Sequence, residues 1–251
     1  MAMESTCDRL IQMRLSVMAR AYREQEGSPR IREMGFDERL ALLVDAEWDA
    51  RRNNKRARLL RAAGFPEPGA SVEDVRYDPD RKLDRAQIMG LSNCEWARRR
   101  RHVVLCGASG CGKTWLACAL GVAACNAFLS VRYARLPGLL DELCVRKDEE
   151  WAKLKRRYVK CDVLILDDWL LEPLGREQAR EVLELVEARH RSGSLILCSQ
   201  YAPAGWHERL GEQATADAVV DRIVYRSTVI RIGGPESMRK RMAESDQSGD
   251  R

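Results

Sequence analysis

Gly107-Ala108-Ser109-Gly110-Cys111-Gly112-Lys113-Thr114 decides how this chain is read. It fits G-x-x-x-x-G-K-[ST], the loop that cradles the phosphates of a nucleoside triphosphate. The glycines let the backbone turn tightly, so that several N–H groups point inward at phosphate oxygens. Lys113 adds a mobile point charge for the β- and γ-phosphates, and the Thr114 hydroxyl is placed to ligate Mg²⁺. A helix beginning here, with Trp115 in its first turn, aims its positive end at the same anion. The flanks agree with that order. His102-Val-Val-Leu-Cys106 is a short apolar run rich in β-branched residues, and Trp115 to Cys125 is rich in Ala and Leu. Strand, glycine loop and helix follow one another as phosphate binding requires.

Downstream, apolar strand patterns alternate with helical ones. Strands are expected at 130–134, 162–167, 194–199 and 228–232, and helices at 136–146 and 177–191. Short apolar strands separated by helices argue a parallel sheet covered on both faces, an α/β fold. Ligands of such sheets bind beyond the carboxyl ends of the strands. Val163-Leu-Ile-Leu-Asp167-Asp168 therefore reads as the second half of the nucleotide site. Asp167 is placed to hold the metal, and Asp168 to orient or activate the attacking water. Ser199-Gln200 ends the next strand, where a polar side chain either reaches the γ-phosphate or lytic water or serves as a turn residue.

The first part of the chain reads as helical. Leu10, Met13, Leu15, Val17 and Met18 fall in one amphipathic stretch that stops at Gly27-Ser28-Pro29. Asp37 is expected to cap a second helix whose apolar positions are Phe36, Leu40, Leu43, Val44 and Trp48. The expected organisation is a helical domain over 1–66, a linker over 67–83 and a nucleotide-binding domain over 84–251. Asp84 is expected to cap a short helix at the start of the last.

A formal net charge of +5 permits a nucleic-acid partner without requiring one. The basic residues cluster at 51–61, 98–101 and 153–157, which suits sequence-independent phosphate contacts. Nine scattered cysteines without a C-x-x-C pair read as reduced, buried residues of a cytoplasmic protein. No apolar stretch is long enough to span a membrane.

The order of these motifs resembles that of the IstB family, ATP-binding helper proteins of bacterial insertion sequences. That family is related to DnaC and DnaA among the AAA+ ATPases. The residues carrying the resemblance are the phosphate loop, the Leu-Ile-Leu-Asp-Asp strand, Ser199-Gln200 with Trp206, 220–227, and Glu236-Ser-Met-Arg239. In the N-terminal part, 36–51 is also similar. The resemblance implies an AAA+ P-loop core, an ATPase domain with ATP and Mg²⁺, preceded by a small all-α domain for DNA or partner contacts. It implies assembly on duplex DNA, a transposase of the same element as partner, and a homo-oligomer with ATP sites between subunits. A DnaC-like helicase loader is the alternative. It further implies that Arg222, or else Arg226, reaches the γ-phosphate held by a neighbouring subunit, and that Arg239 contacts nucleotide. Gln200 stands where the family usually has Asn, and Asp168 where many relatives have Glu.

Overall fold

The structure is a computed structural model that describes residues 2–145, 149–234 and 238. The chain divides into two compact units, Met1–Arg58 and Leu59–Arg251.

The first unit is helical: α1 (Ala2–Gln12), α2 (Ser16–Gly27), α3 (Pro29–Arg32) and the start of α4 (Phe36–Ala63). The single helix expected through Met18 is two, because Arg14 adopts a left-handed conformation (φ 61°) and breaks it. Asp37 lies inside α4 rather than capping it, and the Glu38 carboxylate instead accepts from the Gly35 N–H at 3.1 Å. Of the apolar positions expected to face a core on α4, only Leu43 is buried; Phe36, Leu40, Val44 and Trp48 are exposed. The buried face carries Glu47. Its Oε2 accepts from the Val17 and Met18 N–H groups, each at 3.0 Å, which satisfies the open first turn of α2. Its Oε1 accepts from Arg51 Nε at 2.7 Å. Arg51 holds the Glu47 carboxyl below the usual carboxylate range, helped by the Met18 and Val17 amides and opposed by burial.

The second unit is built on five strands: β1 (His102–Cys106), β2 (Val131–Arg135), β3 (Val163–Asp167), β4 (Ser194–Ser199) and β5 (Ser227–Arg231). All are parallel, in the order β2-β3-β4-β1-β5. The three central strands, β3, β4 and β1, are buried along their whole length. Successive side chains go to opposite faces. Val103, Leu105, Val163, Ile165, Ile196 and Cys198 pack with α5 (Arg85–Ser92) and α7 (Lys113–Asn126). Val104, Cys106, Leu164, Leu166, Leu195 and Leu197 pack on the other side, with α8 (Leu136–Val145), α10 (Arg176–Arg189), α11 (His207–Leu210) and α12 (Gln213–Val224). There Trp169 and Trp206 meet edge to face at 5.5 Å. The described residues also form α6 (Glu95–Arg98) and α9 (Glu149–Lys160).

Residues 67–83, read from their composition as a linker, are packed into this unit. Ala70, Val72 and Val75 join the core beside α7, and two 3₁₀ turns order the segment. The Asp84 carboxylate caps α5 by accepting from Ala86 N at 2.8 Å. All nine cysteines are free, and all but Cys144 are buried. Burial raises the Cys106 and Cys118 thiols to about 11 and the Cys125 thiol to about 12, which keeps these three protonated as packing residues. Among the described residues, no helix is long and apolar enough to cross a membrane.

Candidate nucleotide site at the carboxyl end of the sheet

β1 delivers the chain at Cys106 into a loop that wraps back into α7. The backbone is left-handed at Gly110 (φ 79°) and Gly112 (φ 92°), which only glycine adopts without strain. Gly107 is required for another reason: a Cβ there would stand 2.5 Å from the Ile232 carbonyl oxygen. Lys113 opens α7, buried to 9% exposure, and its Nζ donates to the Gly107 and Ala108 carbonyls at 2.8 Å each. The ammonium thus spans the mouth of the loop.

The other half of the site comes from β3. Asp167 is 5% exposed. Its Oδ2 accepts from Thr114 Oγ1 at 2.7 Å and from the Tyr133 hydroxyl at 2.8 Å. Its Oδ1 accepts from the Asp168 N–H at 2.9 Å. Burial, followed by the Asp167 carboxylate, raises the Tyr133 phenol far above its ordinary range, so it stays a donor. Asp168 has φ 53°, and its Oδ2 accepts from Arg135 Nε at 2.8 Å. Tyr133 and Arg135 both belong to β2, which pairs Arg135 with Asp167 in register. One edge strand therefore braces both acids.

These groups line a cleft of about 480 Å³. Of the residues singled out from sequence, Ser109, Gly110, Gly112, Lys113, Thr114, Trp115, Asp167, Asp168 and Gln200 line it. Gly107, Ala108 and Cys111 belong to the loop through their carbonyls rather than through cleft-facing side chains. Ser199 is fully buried and donates to the Trp169 carbonyl at 3.1 Å, a structural turn residue, while Gln200 is exposed to the cleft. Arg222 lies on α12 away from this cleft, paired with Glu187 at 2.8 Å and bonded to the Ala218 carbonyl at 2.8 Å. Arg226 donates to the His190 carbonyl at 3.3 Å. Glu236 and Arg239 lie outside the described residues.

Several cleft residues escaped the sequence reading. Arg81, 6% exposed, donates from Nη2 to the Cys111 carbonyl at 3.2 Å and from Nη1 to the Arg76 carbonyl at 2.6 Å. It lines the cleft with Glu67, Asp74 and Arg76, all from the segment read as a linker. Met238, from the Glu236-Ser-Met-Arg239 motif that the sequence did single out, closes the loop from the other side, its N–H donating to the Gly110 carbonyl at 2.9 Å.

Hard oxygen donors from Thr114 and Asp167 fit a magnesium ion, which keeps most of its shell for water and phosphate and takes few protein ligands. No cluster of three or more His, Cys, Asp or Glu side chains able to hold a metal exists among the described residues.

A five-stranded parallel sheet with a phosphate loop after β1 and paired acids after β3 is the AAA+ form of the P-loop fold. The solved structures it resembles include DnaI (TM-score 0.58, 21% identity, 71% of this chain and 98% of that one). Another is the DnaC helicase loader (TM-score 0.53, 19% identity, 65% and 96%). Residues 8–246 match the family described as IstB-like ATP binding protein, and the chain belongs to that family. It is 39% identical over 236 residues to the insertion sequence ATP-binding protein y4pL of Sinorhizobium fredii, covering 94% of this chain and 96% of that one.

Proposed function

We propose that this chain is an ATPase that assembles on duplex DNA with ATP bound and assists the transposase of its insertion sequence. The observation that carries the reading is the Thr114–Asp167 contact at 2.7 Å beside the Lys113 ammonium, within a chain of the insertion-sequence family. In this reading the loop amides and Lys113 bind the triphosphate, while Thr114 and Asp167 hold Mg²⁺. The metal, when bound, draws charge from the phosphate oxygens and the leaving group. Asp168 accepts the proton of the attacking water, and Gln200 orients that water from the end of β4. Arg222 serves the site of a neighbouring copy, where a guanidinium neutralises charge developing on the transferred phosphoryl group. The complete ATPase then exists only between subunits.

Helicase loading uses the same core, so the core does not choose between the two roles. Family membership and the full-length similarity to an insertion-sequence protein favour transposition. The test begins with Lys113→Ala. The wild type is expected to retain labelled ATP with magnesium and to form ATP-dependent assemblies on duplex DNA visible by electron microscopy, and the variant neither. Assemblies on DNA that form equally well without a functional phosphate loop overturn the proposal. Capture of a replicative helicase but not the element's transposase reassigns the chain to helicase loading.

A further inference from the structure

The basic cluster at 98–101 is separate in sequence from the helix that carries the 153–157 cluster, but the fold brings it to the carboxyl end of that helix. His102 N donates to the Arg226 carbonyl at 2.9 Å, and Ser194 Oγ donates to the Ala97 carbonyl at 3.3 Å. Arg189 Nη1 donates to the Cys161 carbonyl at 3.0 Å, and Arg100 donates to the Arg191 carbonyl. Residues 97–102, 158–162, 189–194 and 226 therefore meet at the amino end of the sheet, opposite the nucleotide cleft. Exposed on these segments are Arg98, Arg100, Arg101, Lys160 and Arg191, with Arg157 one helical turn before Lys160.

Three nearby acids already have partners other than these exposed cations. Glu95 pairs with Arg99 at 2.8 Å, and Glu187 with Arg222 at 2.8 Å. Asp162 Oδ2 accepts from the Ser130 N–H at 2.7 Å and its hydroxyl at 2.6 Å. What remains is a field of cations contributed by three different segments. Lys155, by contrast, is removed from the 153–157 cluster: it sits between Glu181 and Glu184, at 3.1 and 2.7 Å, over the Trp151 ring.

We propose that this amino end of the sheet, through Arg98, Arg101, Lys160 and Arg191, is the surface that grips the phosphodiester backbone of duplex DNA. The inference rests on the DNA-binding reading above and assigns it a face. Spaced cations without a base-reading element bind phosphate independently of sequence and release counterions as they do so. The face is remote from the ATP cleft yet rigidly joined to it. β1 runs from Arg101 to the phosphate loop and β3 from Asp162 to Asp167, each spanning about 17 Å. DNA and nucleotide can therefore be held at once, without competition.

The experiment compares the wild type with Arg98→Gln/Arg101→Gln/Lys160→Gln/Arg191→Gln. A control, Arg176→Gln/Arg180→Gln, removes charge from the start of α10. Affinity for a fluorescent 30-base-pair duplex, a length of our choosing, is measured by anisotropy over a salt series. The fourfold variant is expected to keep ATP binding and lose at least about tenfold in DNA affinity. Its log K against log salt slope should shrink by about one per phosphate contact removed. The control is expected to match the wild type. In parallel, Lys160 of the unaltered protein is expected to be shielded from acetylation by the duplex, which needs no variant to fold. Wild-type affinity and slope in the fourfold variant, or equal Lys160 acetylation with and without DNA, overturn the assignment of this face. Failure of the wild-type protein itself to bind the duplex overturns the DNA-binding reading as well.

Discussion

The two ends of the parallel sheet are built from opposite chemistry. At the carboxyl end, Lys113 bonds the Gly107 and Ala108 carbonyls, while Thr114, Tyr133 and Arg135 hold the two acids, Asp167 and Asp168. At the amino end, the buried polar side chains are spent on the fold itself. Arg189 is fully buried and donates to the carbonyls of Tyr158, Val159, Cys161, Asp162 and Ser194. Its guanidinium thereby closes the carboxyl end of α9, where the last carbonyls lack helical partners. His102 is 1% exposed and accepts from Leu195 N through Nδ1 at 3.1 Å, so its proton sits on Nε2. Damage at the carboxyl end should therefore remove chemistry and spare stability, and damage to the buried polar groups of the amino end should do the reverse.

The largest expected effect is at the carboxyl end. Asp168→Asn should retain ATP and lose about 10²- to 10⁴-fold in turnover, the usual contribution of a positioned base. Its melting temperature should stay near that of the wild type. Unchanged turnover would move the base elsewhere. At the amino end, Arg189→Met should do the opposite. Stripping several buried carbonyls of their donor should cost about 3 kcal/mol or more in denaturant unfolding, with whatever protein remains folded still binding ATP. A variant as stable as the wild type would show that those carbonyls need no buried cation.

His102 gives the comparison a pH axis. Burial, followed by the positive charge of Arg226 and Arg189, pushes its imidazole down to about 4. The fold keeps it neutral, while the unfolded chain protonates it near its ordinary pKa of about 6.5. Stability from this group is full above about pH 6.5 and drains away as pH falls toward 4, by about 3 kcal/mol in all. Thermal melts across that range should show the decline, and His102→Gln should flatten it. Glu47 and Glu184, whose carboxyls are held low, lose their contribution only at more acid pH.

How much of this was legible depended on how many faces of an element are buried. β1, β3 and β4 are covered on both sides, so their apolar runs stood out, and β4 begins and ends as its run does. α9 did not stand out. Trp151, Leu154 and Tyr158 pack at helical spacing, but the Lys and Arg between them made the stretch look like a charge cluster. The segment 67–83 has the Pro, Gly and Asp content of a linker, and its buried apolar anchors, Ala70, Val72 and Val75, are small and fall at no regular period. The break at Arg14 carries no Gly or Pro to announce it. Within the site, the phosphate loop and Asp167 were readable because their chemistry is local in sequence. Arg81, Tyr133 and Arg135 were not, because each gains its role from a partner that only the sheet register or a packed loop supplies.

Two of those residues, Arg81 and Tyr133, allow finer tests of the carboxyl end. Arg81→Gln should weaken ATP binding by about tenfold, since the Cys111 carbonyl loses a charged donor and the cleft a cation. Turnover at saturating ATP should change little, which separates it from Asp168→Asn.

Tyr133→Phe is the mildest and most specific probe. Its hydroxyl and that of Thr114 meet on the same oxygen of Asp167. Removing the hydroxyl leaves the ring packed and the phosphate loop untouched, but it frees the carboxylate to rotate. ATP retention should be unchanged, and the magnesium concentration needed for half-maximal turnover should rise a few-fold, about 1 kcal/mol for one hydrogen bond. A rise in the ATP requirement with no change in the magnesium requirement would place Tyr133 with the nucleotide rather than behind the metal ligand. The position of Asp167 would then rest on Thr114 and the Asp168 amide alone.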